Sequence, residues 1–131
     1  MTGLDTNVLA RYLTEDDPPQ ARKASALIAS TIARGERCYV SAVVLCELTW
    51  VLRSVYDVSK ADLLTTLDRL MATSQLQIGD KDIVREALAA FRKGRADFAD
   101  YVIGAGNVDA GCARTATFDR RLRAHKAFQV L

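Results

Sequence analysis

Five carboxylates in this chain fall where an acidic side chain needs a reason. Asp5 follows directly on a short apolar start, Thr2-Gly3-Leu4. Glu47 sits inside an otherwise apolar stretch and is the only acidic residue between Glu36 and Asp57. Asp97 and Asp100 stand three apart, and Asp119 follows the strand-like run 113–117. Burying an unpaired carboxylate is costly, so Glu47 in particular must either reach solvent or find a partner. Three or four carboxylates gathered at one edge, without histidine or thiol, describe a site for a hard cation. Mg²⁺ and Mn²⁺ prefer oxygen ligands, and Mg²⁺ keeps several of its waters, so few protein ligands suffice. Such an ion lowers the pKa of a bound water and neutralises phosphoryl charge. Two ions about 3.5–4 Å apart clamp attacking and leaving oxygens together. Phosphodiester hydrolysis is the chemistry that suits this arrangement.

Each carboxylate also has a plain structural use. Asp5 and Asp119 are good helix caps, and Glu47 could pair with Arg53 or snorkel to the surface. Asp97 and Asp100 suit the first turn of a helix, where the dipole favours negative charge. Taken singly, these uses are the simpler account; taken together, they require four coincidences at one edge. Other site chemistries are poorly served. The three cysteines (Cys38, Cys46, Cys112) form no C-x-x-C pair, and His125 is the only histidine. A Cys/His zinc site needs four such ligands at short paired spacings and is excluded. The cysteines read as small buried hydrophobes, and a nucleophile system built on His125, beside Lys126, is a poor candidate.

The elements that must position the carboxylates follow from periodicity. Asp5-Thr6-Asn7 caps a short helix over Val8–Leu13. Pro18 and Pro19 suit the first turn of the next helix, whose apolar face is Ala21, Ala24, Leu27, Ile28 and Ile32, ending at Gly35. Cys38–Val40 reads as a buried strand, and Ser41 caps a helix from Ala42 to about Val55 that is apolar on most sides. Trp50 and Leu52 on that helix read as core. Ser59 caps a helix carrying Leu63, Leu64, Leu67, Leu70 and Met71, and Leu76–Ile78 is a strand. Further helices run from near Asp80 to Gly94, with Ile83, Val84, Ala87, Leu88 and Phe91 on one face, and from Asp97 to Ala110. A strand over Ala113–Thr117, a short helix over Phe118–Arg123 and a strand over Phe128–Val130 complete the chain. Short apolar strands alternating with helices predict the α/β class: a parallel sheet with helices on both faces, its ligand site beyond the carboxyl ends of the strands. No repeat, linker or low-complexity tract interrupts 1–131, which reads as a single domain.

With 131 residues, 50% of them hydrophobic and 26% charged, the composition is that of an ordinary globular domain. No apolar run approaches the ~20 residues a membrane span requires, and the N-terminus lacks the basic start of a signal peptide. A cytoplasmic protein is expected. A net charge of +2 does not by itself announce a nucleic-acid binder. The distribution says more: arginine outnumbers lysine 13 to 5, with clusters at Arg92-Lys93-Gly94-Arg95 and at Arg120 to Lys126. Guanidinium forks suit phosphate oxygens, although two solvated helix ends would account for the same clusters.

The chain resembles the PIN-domain family over essentially its full length, and within it the VapC-like toxins of toxin–antitoxin pairs. Gly3-Leu4-Asp5-Thr6-Asn7-Val8-Leu9 resembles the opening motif, and Val40-Ser41-Ala42 through Glu47-Leu48 the second. Asp97-Phe98-Ala99-Asp100-Tyr101-Val102-Ile103 with Gly111-Cys112 resembles the third, and Thr115-Ala116-Thr117-Phe118-Asp119 the fourth. The resemblance implies a three-layer α/β/α sandwich around a central, mostly parallel sheet of about four or five short strands. It implies that Asp5, Glu47, Asp100 and Asp119 hold one or two Mg²⁺ or Mn²⁺ ions and carry catalysis, with Asp97, Asn7 and Thr117 in support. It also implies an endoribonuclease acting on structured RNA such as tRNA or ribosomal RNA, restrained by a cognate antitoxin and paired as a homodimer. Arg95, Arg120 and Arg121 would hold the RNA backbone. Gly104 and Gly106 depart from the alanines common in the family, and glycine weakens a helix by roughly 1 kcal/mol.

Two other readings compete. A phosphatase using Asp5 as nucleophile is weaker, because Asp5-Thr6-Asn7 lacks the second aspartate such chemistry uses and no catalytic lysine is evident. A PIN-like module that binds RNA or protein without cutting would show a gap in the acidic set, and no gap is visible.

Overall fold

The computed structural model describes Met1–Leu131, and the chain resolves into two units, Met1–Gly79 and Asp80–Leu131. In the first, β1 (Thr2–Gly3) leads through Asp5 into α1 (Thr6–Thr14) and α2 (Pro18–Ala33), followed by β2 (Cys38–Val40). Then come α3 (Ala42–Ser54), α4 (Lys60–Ala72) and β3 (Leu76–Ile78). The strands run in the order β1-β2-β3, all parallel, with Thr2 opposite Cys38 and Cys38 opposite Leu76. Parallel neighbours need long crossovers, and the intervening helices supply them.

Local chemistry starts each helix where expected. The side chains of Asp5, Asp17, Ser41 and Ser59 accept hydrogen bonds from the backbone N–H of Val8, Gln20, Val44 and Asp62, satisfying donors the helices leave free. Pro18 and Pro19 occupy the first turn of α2. Its buried face is Ala21, Ala24, Ile28 and Thr31, while Leu27 and Ile32 flank it and stay partly exposed. Thr31 tolerates burial because its hydroxyl donates to the Leu27 carbonyl at 2.9 Å. Helix α3 is less enclosed than its composition predicts. Leu45, Leu48, Thr49 and Leu52 are buried, but Val43 and Val55 are exposed and Trp50 is 68% exposed. The reading of Trp50 as core is therefore corrected: two residues from both Leu48 and Leu52, it points away from their face.

The second unit carries α5 (Lys81–Lys93), α6 (Phe98–Asp109), β4 (Thr115–Thr117), a 3₁₀ turn (Arg120–Leu122) and β5 (Phe128–Val130). Val84, Ala87, Leu88 and Phe91 of α5 are buried, and Phe91 meets Phe98 edge-to-face with ring centroids 6.0 Å apart. Strand β4 pairs in parallel with β5, Thr115 opposite Phe128. All five expected strands are thus present and every pairing is parallel, but they form ladders of three and two rather than one continuous sheet. Strands of two or three residues offer few ladder bonds each. The cysteines divide: Cys38 is buried, Cys46 is half-buried with its thiol pushed up to about 11 by desolvation, and Cys112 is exposed in the turn after α6. For Cys112 the expectation of burial is corrected. No helix is long and apolar enough to cross a membrane.

The two glycines of α6 differ sharply. A Cβ at Gly104 would lie 2.5 Å from the ring of buried Phe128, whereas one at Gly106 would meet nothing within 4 Å. Gly104 is therefore what lets α6 approach β5. Gly104→Ala should destabilise the protein by about 1–2 kcal/mol, overpacking outweighing the helix-propensity gain. Gly106→Ala should stabilise it by up to about 1 kcal/mol. Urea denaturation of both variants checks the opposite signs.

Candidate active site

In the first unit, Asp5 emerges two residues past β1 with extended backbone and accepts from Val8 N–H at 3.0 Å. One oxygen of its exposed carboxylate thus caps α1. Thr6, buried beneath it, donates its hydroxyl to Oε2 of Glu47 at 2.7 Å. That bond links the first turn of α1 to the second turn of α3; Glu47 is exposed, so its carboxylate reaches solvent as well as Thr6, and Thr6 rather than Arg53 is its hydrogen-bond partner. The reading of the sequence did not single out Thr6, because its partner lies 41 positions away. Asn7 is exposed, and with Asp5 it lines a cleft of about 320 Å³ that also takes in Arg11, Gln20 and Lys23.

In the second unit the acidic residues converge. Asp97 precedes α6, and its backbone N–H donates to Oδ2 of Asp100 at 3.0 Å, so the third acidic motif is tied to the helix start. Asp119 follows β4, where Thr117 fixes its backbone: Asp119 N–H donates to the Thr117 hydroxyl at 3.1 Å. Thr117 thus supports Asp119 through the main chain. Arg121 then folds back over all three carboxylates. Its guanidinium grips both oxygens of Asp119, with Nε 3.1 Å from each and Nη2 2.8 Å from Oδ2. The same Nη2 lies 3.5 Å from Asp97 and 3.7 Å from Asp100.

Electrostatics follow this geometry. Burial is the main reason the Asp100 carboxyl sits above the ordinary aspartate range, with the charges of Asp97 and Asp119 adding to it. The Asp97 N–H and Arg121 pull it back. Hydrogen bonds from Arg121 hold Asp119 below that range, and Arg121 is correspondingly harder to deprotonate.

The donors here are carboxylate oxygens, the set a hard divalent cation prefers. Their chemistry fits such an ion, although no three acidic, cysteine or histidine side chains converge closely enough to ligate one as they stand. Where the carboxylates do gather, a guanidinium lies among them. Arg95 and Arg120 are exposed and make no ion pair, in contrast to Arg121. The two basic runs meet at a cleft of about 530 Å³ lined by Lys93, Arg121, His125 and Lys126 around Tyr101.

Parallel strands delivering carboxylates at their carboxyl ends, each followed by a capped helix, define an α/β protein whose candidate chemistry is acidic. The PIN domain family profile matches residues 4–127, and the chain belongs to that family. PIN domains are generally metal-dependent nucleases. No individual curated protein and no solved structure gives a significant match.

Proposed function

We propose that the chain is a Mg²⁺- or Mn²⁺-dependent endoribonuclease, the toxin of a VapC-like toxin–antitoxin pair. The observation that carries this reading is the crowding of Asp97, Asp100 and Asp119 around one cationic side chain. Like charges so close repel, and here the Arg121 guanidinium offsets that repulsion as a bound cation would. Asp5 and Glu47 in the first unit and Asp100 and Asp119 in the second are the carboxylates assigned to metal and catalysis. When bound, the metal would supply an activated water and neutralise charge on the phosphoryl group. Thr6 and Thr117 hold Glu47 and Asp119 in place, Asn7 stands exposed beside Asp5, and Asp97 anchors the helix that carries Asp100. Arg95, Arg120 and Arg121 are assigned to the RNA backbone, where arginine forks match phosphate oxygens. Structured RNA such as tRNA or ribosomal RNA is the proposed substrate. A cognate antitoxin, a homodimer and a cytoplasmic location complete the reading.

The test is cleavage of total tRNA and ribosomal RNA by purified, antitoxin-free protein with Mg²⁺ or Mn²⁺. Cuts that vanish with EDTA and in Asp5→Asn are expected. Intact RNA from a folded protein that binds metal would favour a module that holds RNA without cutting it. Release of phosphate from small phosphomonoesters would favour a phosphatase.

A further inference from the structure

We infer that Arg121 is the resident cation of the acidic cluster, so that the site takes up its metal by exchange with this guanidinium. The inference rests on the metal-nuclease reading above and concerns what stands in the way of the ion. Arg121 occupies both oxygens of Asp119 with a two-pronged grip, and the same nitrogen reaches toward Asp97 and Asp100. A divalent ion approaching those oxygens meets the guanidinium's charge and finds lone pairs on both already engaged. Two features make the exchange feasible. The Arg121 side chain is 47% exposed, so its departure disturbs no core packing. The turn that carries it is anchored by its neighbour Leu122, which is 2% exposed, so the backbone can stay while the side chain swings.

The exchange also reconciles two roles for one residue. While paired with three carboxylates, Arg121 has no free charge for a phosphate. Arg121 already lines the cleft shared with Lys93, His125 and Lys126, where an anionic backbone is the fitting partner for a guanidinium released from its carboxylates. Metal uptake would thus free an RNA contact within the same turn of chain.

Calorimetric titration of Mn²⁺ into the full chain and three variants tests the inference without recourse to activity. Arg121→Gln should bind Mn²⁺ about tenfold more tightly than the wild type, as a competing cation held by exposed pairs is removed. Arg120→Gln removes the same charge from a neighbour with no acidic partner, and should stay within about twofold. A purely structural role for Arg121 would weaken binding on its loss. Unchanged or weaker binding in Arg121→Gln, or equal tightening in Arg120→Gln, would overturn the exchange while leaving the metal reading intact. Absence of Mn²⁺ binding in all four proteins would overturn both. Should Arg121→Gln lose its circular dichroism signal, Arg121→Lys carries the test, since lysine keeps the charge but lacks the fork. About threefold tightening then supports exchange, and none overturns it.

Discussion

Replacing Asp100 by asparagine should lower RNA cleavage about a thousandfold or more, the loss of several kcal/mol of transition-state stabilisation, while leaving the circular dichroism spectrum unchanged. The substitution keeps the shape and the oxygen that accepts from Asp97 N–H, so the start of α6 survives. What it removes is the charge. That charge is held under strain already, because burial and two neighbouring carboxylates raise the Asp100 pKa. A folded-state pKa raised above its unfolded value means that ionisation opposes folding, so the contribution to stability is present at low pH and lost as pH rises through the carboxyl range. At neutral pH Asp100→Asn should therefore melt at or above the wild-type temperature. A melting temperature that falls would show that Asp100 serves the fold rather than the chemistry. Asp97→Asn should cost less activity, since the Asp97 side chain is 60% exposed against 28% for Asp100. The reverse order would mean that Asp97 is the principal ligand.

At Asp5 the structural and chemical roles can be separated by choice of substitution. Asparagine caps a helix about as well as aspartate, so Asp5→Asn should keep the bond from Val8 N–H and leave stability unchanged. Cleavage should nonetheless fall by about two to three orders of magnitude, because the neutral amide no longer offers a charged ligand. Asp5→Ala should lose the same activity and also about 1 kcal/mol of stability, the usual cost of an N-cap. Thermal melts and cleavage rates of the pair, measured side by side, decide the matter. Full activity in Asp5→Asn would reduce Asp5 to a cap.

Local chemistry is what the sequence determined by itself. Capping residues, apolar spacing and the two prolines located every helix to within a residue or two, because each of those signals acts over one turn of chain. The same spacing made Asp97 and Asp100 neighbours at the start of α6, and strand-ending positions drew attention to Asp5 and Asp119. Which apolar residues are enclosed depends instead on long-range packing: a periodic pattern names candidate faces, but Trp50, Leu27 and Ile32 are left partly or largely in solvent by what packs beside them. Likewise, the partner of Glu47 lies 41 positions away at Thr6. The fate of Arg121 was equally hidden. In sequence it is one of four arginines near the C-terminal end and reads as a phosphate ligand. Folding brings β4 beside the start of α6, and that long-range placement turns it toward Asp97, Asp100 and Asp119, where its charge is already spoken for.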